Sequence, residues 1–225
     1  MTSETISLPS GLVIPDALGR LRWFCRGEYA YYDGIGFTDP DRIEPLDVLV
    51  TVAMNSFVNS AARVHRVHQG MAAACDPILP QISVDAHLLA PGVDLSLVEA
   101  LLDGACRVSG VLLPVATKVL HRKRRALIPM LDNVVLGHYL APPELAPLRG
   151  KTQDGRQAAS VATVVLDLFR TDLTASIVTL QMIGAELALE GPHVLTPVRM
   201  LEILIWMETE PLGAYRRAAP DARRS

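Results

Sequence analysis

Apolar residues recur at steps of three and four along nearly the whole of this sequence, the spacing that gathers them on one face of an α-helix. After Asp41, a proline suited to a first helical turn opens the segment PLDVLVTVAMNSFVNSAARVHRV from residue 45. It places Leu46, Leu49, Val50, Ala53, Met54 and Phe57 on one stripe, as one long helix or as two joined near Asn55 to Asn59. The same pattern predicts helices at about 94–107, opened by Asp94, at about 114–125, and after Asp132. Three more are expected at 157–171, 172–190 and 197–209, the first two meeting at Arg170-Thr171-Asp172. Loops rich in Pro and Gly fall at 76–80, 91–92, 142–150 and 191–192, and alternating strand patterns are absent. The fold class is all-α.

Half of the 225 residues are hydrophobic and mean hydropathy is +0.27, yet every apolar run breaks before the ~18 residues that a membrane span needs. Asp47, Asn55, Pro114, Lys118 and Asp167 do the breaking, so the apolar surplus is assigned to a packed core and no membrane partner is expected. The three cysteines, Cys25, Cys75 and Cys106, form no CxxC pair, which speaks against a disulfide framework and a zinc site. With no basic and apolar leader in MTSETISLPSG, a cytoplasmic address is expected. No Gly-rich phosphate loop, GxSxG elbow or HExxH is present, and no metal or organic cofactor is implied. The chain divides into an N-terminal segment 1–43, helical lobes at 44–136 and 137–210, and a tail 211–225.

The stretch SGVLLPVATKVLHRKRRALIPMLDNVV, residues 109–135, carries the most chemical information. Gly110 supplies the positive φ of a sharp turn between helices, Val111 follows it, and Pro114 opens the next helix, whose free amides can hold a phosphate. That helix ends on His121, Arg122, Lys123, Arg124 and Arg125, which with Lys118 concentrate five of the Lys and Arg charges in eight residues of a chain whose net charge is −3. Such a run is either a solvated helix terminus favoured by the macrodipole or a phosphate-binding patch. Asp132 reads both as an N-cap and as a candidate catalytic carboxylate, roles that can coexist. Trp23, Phe24, Tyr29, Tyr31 and Tyr32 bring five of the chain's aromatic side chains close together, either to anchor the N-terminal segment or to stack on a planar ligand. His65 and His68 stand three apart without a third ligand in register, as expected of an exposed face.

Gly110-Val111 with Ala116 six positions on resembles a helix-hairpin-helix element, and Asp132 follows Gly110 by 22 residues. This is the separation at which helix-hairpin-helix DNA glycosylases of the endonuclease III type carry their catalytic aspartate. Pro45 to Asn55 resembles the first barrel helix of that superfamily, so the likeness covers roughly 44–136. The chain also resembles an actinobacterial family of uncharacterised proteins with a lysine and a basic run before a proline-to-aspartate segment. The glycosylase resemblance implies a two-lobed helical fold whose cleft takes an extruded base, with Asp132 assisting hydrolysis of the N-glycosidic bond and Lys118 to Arg125 on the backbone of a nucleic acid or nucleotide. It makes Tyr31, Tyr32, Asn55 and Asn59 the candidate pocket residues.

The departures from that pattern are specific. Leu112 stands where the second hairpin glycine belongs, and Pro114 where bifunctional members carry a nucleophilic lysine. Lys118 lies one helical turn farther on the same face, so lysine lyase chemistry is not expected. The four cysteines of an iron–sulfur cluster are absent from the sequence. Beside a lyase-free glycosylase stand two alternatives, a non-catalytic nucleic-acid-binding module and an enzyme of the same fold acting on a small molecule. The apolar excess also leaves room for a homodimer face.

Overall fold

A computed structural model describes residues 4–56, 58–191 and 194–209. Phe57, Pro192 of the expected 191–192 loop and the tail 211–225 lie outside the described residues. The chain is mostly helical: α1 Ala17–Cys25, α2 Ala30–Gly34, α3 Pro45–Val50, α4 Ala61–Cys75, α5 Leu95–Cys106, α6 Leu113–Lys123, α7 Asn133–Tyr139, α8 Ala158–Glu190 and α9 Pro197–Thr209. None of the described helices is long and apolar enough to cross a membrane. The periodic segments are helical, but α1, α2 and a two-residue antiparallel pairing of β1 Ile6–Ser7 with β2 Val13–Ile14 lie in a stretch too short and too irregular for the pattern to register.

Local chemistry sets most boundaries. Glu44 and Asp47 form a reciprocal capping box around Pro45, and α3 runs into a 3₁₀ turn, Thr51–Met54, that stops at Asn55 in the left-handed region, φ 55°. The long periodic segment from residue 45 is therefore two helices, with Ser60 capping the second through the Arg63 N–H. Asp94 caps α5 through the Ser96 N–H. Gly110, φ 84°, makes the turn between α5 and α6, which pack against each other with Ala116 fully buried.

One expected boundary is absent. Residues 158–190 form a single helix through Arg170-Thr171-Asp172. Asp172 does not cap a helix there. It is buried and accepts hydrogen bonds from the Ser10 N–H and the Tyr139 hydroxyl, each at 2.9 Å, while Thr171 and Thr174 bond back to carbonyls one turn earlier. With neither Pro nor Gly at this point, nothing interrupts the backbone ladder. Apolar residues from Ile6 to Met207 join one continuous core in which the N-terminal segment, 44–136 and 137–209 all take part.

The basic run is the largest difference from expectation. Arg122, Lys123 and Arg124 are buried and are no solvated terminus or phosphate-facing patch. Arg122 and Lys123 both pair with fully buried Asp47, the former at 3.1 Å, and Arg122 also donates to the Gly36 carbonyl. Arg124, 0% exposed, pairs with Asp41 and donates to the carbonyls of Ile82, Pro40 and Leu79. Arg125 is half-buried, its guanidinium 4.4 Å from the Phe37 ring centroid. His121 is buried beside Tyr32 and its Nδ1–H donates to the Ile128 carbonyl at 2.7 Å. Partner carboxylates and carbonyls thus draw the run inward, and the cost of removing one partner is large.

Asp47→Ala would leave two buried cations without their counter-ion, and a loss of about 3–5 kcal/mol in urea unfolding is expected, as for other broken buried pairs. Desolvation pushes His121 down to about 3, so it is neutral in the folded protein. An unfolded histidine takes up a proton below about 6.5, so this group adds stability at neutral pH that is lost as pH falls from about 6.5, by at most about 1.4 kcal/mol per pH unit. Its ring NMR shifts are expected to stay flat from neutral pH to pH 5, and a midpoint near 6 would contradict this burial.

Candidate functional site

The first turn of α7 follows the loop that leaves the buried end of α6. Asp132 caps it: Oδ1 accepts the N–H groups of Val134 and Val135, each at 2.9 Å, which fixes the carboxylate in place. Among the described residues Oδ2 has no hydrogen-bond partner, and Asp132 borders a cavity of about 310 Å³. α6 presents Pro114, Val115 and Lys118 to that cavity, the spacing of one helix face. Met54, Asn55 and Ser56 enter from the 3₁₀ turn after α3, Thr152 and Gln153 from the 3₁₀ segment Ala146–Gln153, and Leu112 from the hairpin turn.

Tyr29 and Trp206 supply the aromatic wall, edge to face with ring centroids 5.5 Å apart. The left-handed Asn55 donates from Nδ2 to the Tyr29 hydroxyl at 3.0 Å, tying the turn to that wall. Lys118 is 7% exposed; its Nζ donates to the Met54 carbonyl at 2.7 Å, and burial lowers its pKa against the opposing attraction of Asp132 and Glu202.

Behind Asp132 and Trp206 a small recess opens onto Arg199 and Glu202 of α9. Arg199 is fully buried between Asp33, at 2.9 Å, and Glu202, at 2.7 Å, with the Phe24 and Tyr32 rings about its guanidinium. Both carboxylates keep it charged. Desolvation pushes the Glu202 carboxyl up to about 7 although Arg199 opposes the rise. Among the described residues, no group of three or more His, Cys, Asp or Glu side chains is arranged to hold a metal ion.

Of the residues singled out by sequence, the structure brings Asp132, Lys118 and Asn55 to one cavity. Gly110 and buried Val111 form the hairpin turn without lining it. His121, Arg122, Lys123, Arg124 and Arg125 face elsewhere. Three of the expected pocket residues lie elsewhere: Tyr31 is 70% exposed, Tyr32 is buried with its hydroxyl donating to the Lys118 carbonyl, and Asn59 is outside this cavity. Asn59 borders a separate groove of about 460 Å³, mostly apolar, with Leu49, Val52, Val64, His65 and His68. His68 bonds the Ile43 carbonyl there.

Sequence reasoning passed over Trp206 and Glu202, which sit in the apolar pattern of α9 with nothing local to mark them. It placed Tyr29 in the aromatic group without picking it for the pocket.

No curated protein and no solved structure matches the chain. Residues 22–209 match a family described as a family of unknown function, DUF6308. The match takes in every residue of the cavity, from Tyr29 to Trp206, and by its extent the chain belongs to that family.

Proposed function

We propose that this protein hydrolyses the N-glycosidic bond of a nucleoside or of a single extruded base, with Asp132 as the catalytic carboxylate, on a helix-hairpin-helix glycosylase type of two-lobed fold. The observation that carries the reading is a rigidly capped carboxylate with one oxygen unengaged, at the edge of a cavity walled by Tyr29 and Trp206. The volume, about 310 Å³, is at the low end of small-ligand pockets and suits one planar heterocycle with part of a sugar. An aromatic ring slots against the two aromatic side chains, and Asn55, Asn133 and Gln153 offer neutral donors and acceptors to a base edge or to hydroxyls.

In such a reaction the bond from sugar to base breaks ahead of attack, leaving positive charge on the sugar ring. A fixed carboxylate stabilises that charge and takes a proton from the attacking water, needing no reorganisation as the charge develops. Neither a covalent lysine intermediate nor a cofactor enters this scheme.

The substrate is drawn toward the small end of the range by what surrounds the cavity. Arg122, Lys123 and Arg124 are engaged internally, and the cavity lining is mostly apolar, with Lys118 and Asp132 its charged groups among the described residues. The buried Arg122, Lys123 and Arg124 therefore offer no phosphate contacts for duplex wrapping through counterion release.

Base release from a panel of nucleosides and from base-modified oligonucleotides, followed by chromatography, tests the reading. Asp132→Asn keeps a good cap, so the fold should persist while release falls roughly 10²–10⁴-fold. Ligand binding that survives with no turnover in the wild type would favour a non-catalytic module. Any oligonucleotide affinity is expected to change little between low and physiological salt; a steep fall would require a phosphate-contacting surface that the buried cations do not offer.

A further inference from the structure

We infer that Lys118 is the proton donor to the departing base. The inference rests on the reading of the cavity as a glycosidase site and assigns a role to its one cation among the described residues. Lys118 reaches the cavity from α6 while Asp132 reaches it from the start of α7, and the two form no ion pair. The ammonium has three N–H donors. One is held by the Met54 carbonyl at 2.7 Å; the others have no hydrogen-bond partner among the described residues. A buried ammonium with unspent donors is costly unless something accepts from it, and a heterocycle seated against Tyr29 and Trp206 brings ring nitrogens and carbonyl oxygens to that spot.

The step balances without any further reactant. The C1′–N bond breaks and its electron pair goes to the base, whose ring nitrogen or carbonyl oxygen takes a proton from Nζ. The water oxygen bonds C1′ and its proton passes to the Asp132 carboxylate, from which it returns through solvent to the Lys118 amine. Desolvation makes Lys118 a stronger acid than an exposed lysine, while Asp132 of α7 and Glu202 of α9 hold its proton and Arg199 of α9 works against it. The active form is the protonated one, so nucleoside hydrolysis falls as pH rises through a pKa below that of an ordinary lysine.

The test compares uridine and inosine with 4-nitrophenyl β-D-ribofuranoside, whose phenolate leaves without being protonated. Lys118→Met should lose at least roughly 100-fold on the nucleosides and only a few-fold on the aryl riboside. In the wild type, which needs no variant to fold, the alkaline loss of kcat should appear with the nucleosides and be absent with the aryl riboside. Equal losses on both substrates, or no loss on either, overturn the assignment, as does the same alkaline limb with both. A wild type that cleaves the aryl riboside but no nucleoside leaves the glycosidase reading standing and removes Lys118 from it. A wild type that cleaves neither the aryl riboside nor any nucleoside or base-modified oligonucleotide of the panel removes both.

Discussion

Asp47 ties segments far apart in the sequence to one buried point. Its carboxylate closes the capping box that starts α3, accepts from the Thr38 hydroxyl and pairs with both Arg122 and Lys123. The 36–44 loop, the α3 helix that follows it and the distant end of α6 are thereby fixed to one point. Burying two cations on one carboxylate is tolerable only because carbonyls take the remaining donors, among them Gly36 O for Arg122 and Asp39 O for Lys123. The arrangement specifies how α6 lies more than it adds net stability, since apolar replacements of such clusters are often no less stable.

That placement of α6 has a direct effect on the cavity. With residues 121–124 locked inside, the preceding turns of the same helix have one rotational setting left, and it turns Pro114 and Lys118 to the cavity. The loop that follows is held by the Leu131 N–H donating to the Thr117 hydroxyl and by His121 on Ile128 O. It delivers Asp132 to its cap position. A second buried cluster, Arg199 with Asp33 and Glu202, does for α9 what Asp47 does for α6, bringing Trp206 against Tyr29. The two clusters meet at Tyr32, which lies beneath both guanidinium groups.

How much of this was legible in the sequence depends on whether the cause is local. Gly110, Asp94, Asp132 and Pro45 act within one turn of the chain, and their roles as turn, caps and helix opener could be read from residue type and spacing. The run at 121–125 could not, because a string of cations looks solvated until the acids that claim it, Asp41 and Asp47, are known to lie beside it from more than seventy residues away. Asp172 misled in the same manner: an aspartate after Thr171 reads as a helix start, whereas its partners are Ser10 and Tyr139. Asp132 and Lys118 were recognisable as candidates, but the cavity that joins them depends on Trp206 and Tyr29, whose meeting is a long-range contact without a sequence signal.

The charge balance gains a different meaning once the ion pairs are assigned. The two buried clusters and the Arg124–Asp41 pair contain four cations, Arg122, Lys123, Arg124 and Arg199, and four carboxylates, Asp33, Asp41, Asp47 and Glu202. They cancel, so the formal −3 of the chain belongs to everything outside them. A molecule whose remaining charge is negative repels a polyanion at long range, whatever a single lysine in a cavity does at short range. On the glycosidase reading proposed for the cavity, the field outside the clusters and the groups inside it favour the same kind of ligand: small, carrying little charge and planar in one part.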